Sequence, residues 1–255
     1  MDHDLRVAGD TMEVVRPPAS YELVVEQIRR AIQLGRFGPG QKLPPERELA
    51  GQLGVSRTTV REAMRVLQGE GLVEIRRGRA GGAVVVGVTL SQAELKRLLR
   101  HRLTELEALV EHRLIIEPAT ARLAAQRRSE RQVQELHRLV EAMSALAARA
   151  TADGDASPPS AFFALDSQFH HRIAEGTGNP MLVRAVDDVR AALFTPVGGI
   201  FGALHPDANA EHETIFAAIA VGDPDAAEEA MARHIQLTQA ALQSLTGTVA
   251  GSGRR

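Results

Sequence analysis

Among the histidine and acidic side chains in the second half of this 255-residue chain, four lie in apolar helical patterns and could bind a metal ion together. Asp166 and His170 are four residues apart in an apolar helical pattern, so they lie on one face of one helix. His212 and His234 lie within the apolar patterns of two later helices. One carboxylate and three neutral imidazoles that converge in a helical core can hold a divalent cation. The spacing also fits buried histidines with ordinary hydrogen-bond partners, and taken alone it favours that simpler interpretation.

A second set of side chains has the chemistry of nucleic-acid recognition. Arginine and threonine side chains are concentrated at the start of the helical pattern RTTVREAMRVL, at residues 57–61. Guanidinium groups read guanine edges, and hydroxyl groups bind phosphates. Three arginines and three glycines follow within residues 76–82, where glycine allows a close approach of the backbone to a groove. These residues predict DNA binding, and the alternative is a solvated basic hairpin on an unrelated small domain.

The segment 43–86 contains the elements that must position this second set. Leu49 and Leu53 form one face of a short helix, which Gly54 can end in a left-handed conformation. Ser56 can then cap the next helix through its side-chain oxygen. The second helix has an apolar stripe formed by Val60, Ala63, Met64 and Leu67. Two short helices joined by a tight turn predict a helix-turn-helix, which places the start of its second helix in a major groove.

Apolar runs on both sides of the arginine- and glycine-rich turn extend this motif. Residues 72–75 and 83–86 each predict a short strand, so that the basic turn becomes the tip of a wing. Upstream, Ser20 is expected to cap a supporting amphipathic helix. Together these elements predict a winged helix-turn-helix domain.

Charge and periodicity divide the chain into two domains. Residues 20–86 carry eleven Lys/Arg against seven Asp/Glu, a net charge of +4, whereas the whole chain has −2. After residue 91 the strand signals end, and helical periodicity predicts six or seven helices. We therefore predict a mostly α protein with an N-terminal winged helix-turn-helix and a C-terminal all-α bundle. The predicted regions are a disordered arm at 1–19, the DNA-binding domain at 20–86, a linker at 87–91, the helical domain at 92–246 and a flexible tail at 247–255.

The composition also bears on the class and location of the protein. The chain has no cysteine, which excludes disulfides and thiolate metal sites and is typical of a reducing compartment. No apolar run reaches the length of a membrane helix, and the charged start has no signal-peptide core. We therefore expect a cytoplasmic protein with no membrane partner.

The stretch LPPERELAGQLGVSRTTVREAM resembles the signature LPxERxLAxxLGVSRxTVRxAL of the GntR family of bacterial transcription regulators. Met64 departs from it conservatively, since leucine is usual there. In the family, arginines of this motif contact DNA, hydroxyl residues contact phosphates or bases, and the wing tip reaches the minor groove. The resemblance therefore implies a DNA-binding set formed by Arg47, Ser56, Arg57, Thr58, Thr59, Arg61, Arg77 and Gly78.

Most of residues 95–245 resemble the FCD ligand-binding domain, which defines the FadR-like subfamily of GntR regulators. DSQFHHRIAEGTGNP is similar to its DxxFHxxIAxxxGNP signature, and EHETIFAAIAVGDPDAAEEAMARHI to its closing signature. In metal-binding members one aspartate and three histidines at these positions hold the ion. The resemblance implies the ligands Asp166, His170, His212 and His234, with Zn²⁺ as first choice and Ni²⁺ or Mn²⁺ as alternatives. His171 points about 100° away from His170 around the helix and is not expected to be a ligand.

Two arginines are candidates for binding an effector. Arg113, in the segment EHRLIIEPATARLAA, resembles the family arginine that faces the ligand cavity, although an ordinary ion pair explains it equally well. Arg190 is a further candidate of the same kind. We thus predict a homodimeric DNA-binding repressor on a palindromic operator, controlled by a small carboxylate at the metal ion. One alternative is a regulator for which the ion itself is the signal. A metal-dependent enzyme is disfavoured, because no general base is recognisable beside the ligands.

Overall fold

The computed structural model describes residues 19–78, 81–86, 97, 101–152, 159–197 and 208–246. This part of the chain contains helices and one small antiparallel sheet, which confirms the predicted mostly α class. The elements are α1 (Ser20–Gln33), α2 (Glu46–Leu53), α3 (Arg57–Gly69), β1 (Val73–Arg76), β2 (Gly82–Val85), α4 (Leu103–Arg127), α5 (Glu130–Ala152), α6 (Pro159–Gly176), α7 (Pro180–Val197), α8 (Ala208–Val221) and α9 (Pro224–Thr246). Apart from Ala19, the predicted arm lies outside the described residues, as do the predicted linker at 87–91 and the tail at 247–255.

The first five elements form the winged helix-turn-helix. Gly54 ends α2 with φ 66° and ψ 29°, the left-handed conformation that favours glycine. The Ser56 hydroxyl oxygen caps α3 by accepting a hydrogen bond from the Thr59 backbone N–H at 3.1 Å. β1 and β2 pair antiparallel as the wing. The buried residues of α3 are the four of the predicted stripe, Val60, Ala63, Met64 and Leu67.

The start of α1 differs from the sequence prediction. Ser20 is the first helical residue, and Ala19 occupies the cap position. The Glu22 carboxylate accepts a hydrogen bond from the Ala19 backbone N–H at 2.9 Å. A carboxylate inside the first turn therefore stabilises this helix end in place of a serine hydroxyl, which also suits the helix dipole.

The remaining six described helices form the body of the protein. α4 packs against α6, α7, α8 and α9, and α5 packs against α6 and α8. α7 runs from Pro180 to Val197 and includes Pro196 in its last turn. No described helix combines the length and the hydropathy needed to cross a bilayer. Because it packs against four of the other five body helices, the long α4 is the central element of the body.

The two domains touch where the turn after α1 meets α6. The Gln168 side-chain amide donates a hydrogen bond to the Gly35 carbonyl oxygen at 2.6 Å. Gly35 has φ 70°, and a Cβ added there would lie 2.2 Å from the carbonyl oxygen of Ala164. Arg30 also pairs with Asp188 of α7 at 2.6 Å. Helices α6 and α7 therefore both contact the DNA-binding domain.

Candidate metal centre and nucleic-acid interface

Residues of α2, α3 and the wing border one groove on the DNA-binding domain. Arg47 of α2, Arg57 of α3 and Gly82 of the wing all line it, together with Lys42. The predicted DNA-binding residues are exposed at the surface, apart from the half-buried Thr59. Arginines from two helices and a glycine-bearing wing thus face the same space, as a DNA-binding surface requires.

Two predicted DNA-binding side chains also have partners within the domain. Arg61 pairs with Glu46 of α2, with Nη2 at 2.9 Å from Oε2 and Nε at 3.3 Å from Oε1. About half of the Arg61 side chain remains exposed, at 51%. The hydroxyl oxygen of Thr59 lies 2.8 Å from that of Ser56. Thr59 therefore belongs to the helix cap, whereas Arg61 is oriented by its pair and still accessible to DNA.

Four side chains from three helices meet in the interior of the helical body. α6 supplies Asp166 and His170, α8 supplies His212 and α9 supplies His234, and one ligand-type atom of each lies within 4.8 Å of the others. Asp166 Oδ1 lies 2.9 Å from His212 Nε2 and 3.4 Å from His170 Nε2. None of the four exposes more than 3% of its surface. The structure thus brings together all four residues that the sequence indicated.

The Phe169 ring packs against two histidine rings of this cluster. The Phe169 ring lies 5.8 Å from the His170 ring and 5.1 Å from the His212 ring, close to perpendicular in both cases. The His212 and His234 rings are 4.6 Å apart. Because the four side chains are buried, the local dielectric is low, and charges placed here interact more strongly than they would at the surface.

The Nε2 atom of His234 is buried and has no hydrogen-bond partner among the described residues. Burial lowers the pKa of His234 well below its ordinary value, and neighbouring His212, His170 and Arg113 lower it further. The ring is therefore neutral and has a lone pair to offer. Because a buried polar atom without a partner is costly, a cation at this point would be stabilising. The donor set thus fits a divalent metal ion.

Both predicted effector arginines lie at this cluster and are fully buried. Arg113 of α4 pairs with Glu117 one turn later, with Nε 2.6 Å from Oε1. Its Nη1 is buried and has no hydrogen-bond partner in the described part of the chain. Arg190 of α7 pairs with the Asp166 carboxylate and donates to the Ser167 hydroxyl at 3.2 Å. Arg190 therefore contacts a candidate ligand directly, while Arg113 keeps a donor available.

His171, the neighbour of His170, contributes no atom to the cluster. Its Nδ1 lies 2.7 Å from Asp187 of α7, and its Nε2 lies 3.3 Å from Glu175. The side chain is partly exposed, at 17%. Adjacent histidines on one helix thus have separate environments, because successive residues point about 100° apart.

Family models match both domains of the chain. Residues 20–84 match the model described as bacterial regulatory proteins, gntR family, and residues 108–237 match the FCD domain. The chain belongs to the GntR family. It is 32% identical over 222 residues to RmpR of Mycobacterium gastri, named as an HTH-type transcriptional regulator, covering 84% of this chain and 77% of that protein. It is also 32% identical over 234 residues to the HTH-type transcriptional repressor NanR of Escherichia coli K12, covering 86% and 82%.

One solved structure is also similar to this chain. A GntR protein of Streptococcus agalactiae is 27% identical and covers 85% of this chain and 97% of its own, with a TM-score of 0.39. The relatives are transcriptional regulators, which confirms the resemblance that both signatures indicated and the expectation that the chain is not an enzyme. The protein is therefore a DNA-binding transcriptional regulator of the GntR family with an FCD effector-binding domain, and we refer to it below as the GntR regulator.

Glu117 is the residue of the GntR regulator's candidate metal centre that the sequence analysis missed. Its Oε2 lies 2.5 Å from His170 Nδ1, and both side chains are buried. Burial opposes ionisation of Glu117, but its ion pair with Arg113 and its contact with His170 outweigh burial and hold the pKa of Glu117 well below the usual range. A signal was present in the sequence, since Glu117 follows Arg113 by four residues and so shares its helix face. That spacing predicts the ion pair, but it does not reveal the histidine from another helix.

Proposed function

We propose that this GntR regulator is a repressor controlled by a small carboxylate that binds at a divalent metal ion in its FCD domain. The observation that carries the proposal is the buried set Asp166, His170, His212 and His234, with its unpartnered His234 nitrogen. Three imidazoles and one carboxylate suit Zn²⁺ first, and Ni²⁺ or Mn²⁺ also accept these donors. When bound, the ion would act as a Lewis acid with positions open to an effector oxygen.

The charges of the buried side chains favour an anionic effector. Arg113 and Arg190 are balanced by Glu117 and Asp166, with which they form ion pairs. A divalent ion adds two positive charges to this neutral set, and uncompensated buried charge is costly. A carboxylate supplies negative charge, and Arg113 Nη1 can donate a hydrogen bond to it. Arg113 could therefore both stabilise the negative charge of the effector and fix its orientation.

We further propose that the groove side of the winged helix-turn-helix binds operator DNA. The start of α3 would enter the major groove, and the wing tip at Arg77 and Gly78 the minor groove. One recognition helix buries too little surface for operator affinity, so we propose a homodimer on a palindromic operator. The similar protein NanR is named as a repressor, which supports repression as the mode of control. The proposed contacts are Arg47, Ser56, Arg57, Thr58, Thr59, Arg61, Arg77 and Gly78.

The experiment that tests this function measures operator binding of the full chain in a gel-shift titration. Protein loaded with Zn²⁺ is compared with chelator-treated protein, each with and without members of a carboxylate library. We expect a carboxylate to weaken operator binding by about 5- to 150-fold, the usual range of allosteric coupling, and only when the ion is present. If Zn²⁺ alone changes operator affinity and no carboxylate does, the ion itself is the signal. A chain that prefers no promoter fragment over random duplex contradicts the proposal.

Replacing Arg61 by alanine tests the recognition surface. The loss of one major-groove arginine should weaken operator discrimination by about tenfold to hundredfold, because a bidentate contact to a guanine edge is removed. The measurement is competition between operator and random duplex at fixed salt. Arg131→Ala is the matched control, since Arg131 forms a similar exposed pair with Glu135 at 3.0 Å in the helical body. Equal discrimination by Arg61→Ala and wild type would remove Arg61 from the groove.

A further inference from the structure

We infer that Glu117 is a positioning residue of the metal centre, which fixes the His170 ring so that its Nε2 faces the other ligands. The inference rests on the metal site proposed above and adds the residue that sets its affinity. Glu117 lies on α4, a helix that supplies none of the four ligand candidates. It therefore connects the metal centre to the central helix of the body.

The two nitrogens of His170 face different partners. Nδ1 lies 2.5 Å from the Glu117 carboxylate, whereas Nε2 lies 3.4 Å from Asp166 Oδ1. The His170 ring is also 5.2 Å from the His234 ring, centroid to centroid. One side of the ring is thus held from α4, and the opposite side is directed into the cluster.

The other carboxylate oxygen of Glu117 is held as well. Arg113 Nε lies 2.6 Å from Oε1, and both side chains are buried. The carboxylate is therefore fixed between a guanidinium group of its own helix and an imidazole of α6. In this position it contacts His170, and it does not belong to the set of four ligand candidates. Its role is to orient a ligand, with Arg113 orienting Glu117 in turn.

This arrangement has a defined chemical consequence for metal binding. A carboxylate on Nδ1 favours the tautomer that carries its proton there, which leaves the Nε2 lone pair free for an ion. The negative charge also makes the ring a stronger electron-pair donor. Removing such a partner typically weakens metal affinity by about 10- to 100-fold. The same loss is expected here when the charge of Glu117 is removed.

Glu117→Gln tests the inference, because glutamine preserves the shape of the side chain and removes its charge. Zn²⁺ affinity of the full-length protein is measured by competition with a chromophoric chelator, and the absorption spectrum of the Co²⁺-loaded protein reports on the coordination geometry. We expect about 10- to 100-fold weaker Zn²⁺ binding and a changed Co²⁺ spectrum. Glu175→Gln is the matched control, since Glu175 lies 3.3 Å from Nε2 of His171, outside the cluster. It should leave affinity and spectrum unchanged.

A second variant covers the case in which Glu117→Gln does not fold. Glu117→Asp keeps the charge beside Arg113 but withdraws the oxygen from His170 Nδ1, so a smaller loss of Zn²⁺ affinity is expected. Wild-type affinity and spectrum in both variants, or in the one that folds, would overturn the positioning role and leave the proposed metal site intact. Wild-type protein that takes up neither ion would overturn both proposals.

Discussion

His212→Ala is expected to lower the metal affinity of the regulator by more than about 100-fold, a larger loss than removal of an outer-shell partner causes. His212 Nε2 lies 2.9 Å from Asp166 Oδ1, inside a cluster that exposes almost no surface. Water cannot readily replace the missing nitrogen in such a site, so the remaining three ligands should bind the ion poorly. The measurement is the metal content of purified protein by elemental analysis.

A thermal-shift series gives an independent measurement of the same prediction. An ion present at a hundred times its dissociation constant stabilises the native state by about 2.7 kcal/mol. Wild-type protein should therefore melt at a higher temperature with Zn²⁺ than without it, and the His212→Ala variant should lose this difference. His171→Ala is the control, because His171 contacts Asp187 and stays outside the cluster. Full metal occupancy in His212→Ala would exclude His212 from the site.

Gly35→Ala is expected to destabilise the contact between the two domains. Gly35 has φ 70°, and an added Cβ would lie 2.2 Å from the Ala164 carbonyl oxygen, a backbone atom that no rotamer change can move. The left-handed conformation costs alanine about 1–2 kcal/mol. Relief of the clash adds a further loss of about 1–3 kcal/mol, as for other overpacked sites. The measurement is the melting temperature of the full chain.

Gly54→Ala separates the two contributions. Gly54 has φ 66°, close to that of Gly35, but an added Cβ would meet no atom within 4 Å. Its replacement should cost only the conformational part, so the difference between the two variants measures the clash at the domain contact. Equal melting temperatures for the two variants would show that the contact between the turn and α6 is not close in solution.

The DNA-binding domain is the part that local sequence patterns predicted most completely. Gly54 and Ser56 mark the end of one helix and the start of the next, and the apolar stripe of α3 is fully buried as expected. Such signals depend on neighbours within a few residues, so they can be read without knowledge of the fold. The prediction that Ser20 caps α1 was wrong. Ser20 is the first helical residue, and the Glu22 carboxylate accepts the hydrogen bond from the Ala19 backbone N–H at this helix end.

Describing the candidate metal centre required both the sequence and the tertiary structure. The sequence by itself determined which residue types are available and that Asp166 and His170 share a helix face. Periodicity states which face of a helix is apolar, but not which faces meet. Only the tertiary structure decided that α4 brings Glu117 to His170, and α7 brings Arg190 to Asp166. Each of these contacts joins two helices that are distant in sequence, so residue spacing cannot reveal it. A buried charge needs a partner, but which residue becomes that partner depends on how the helices pack.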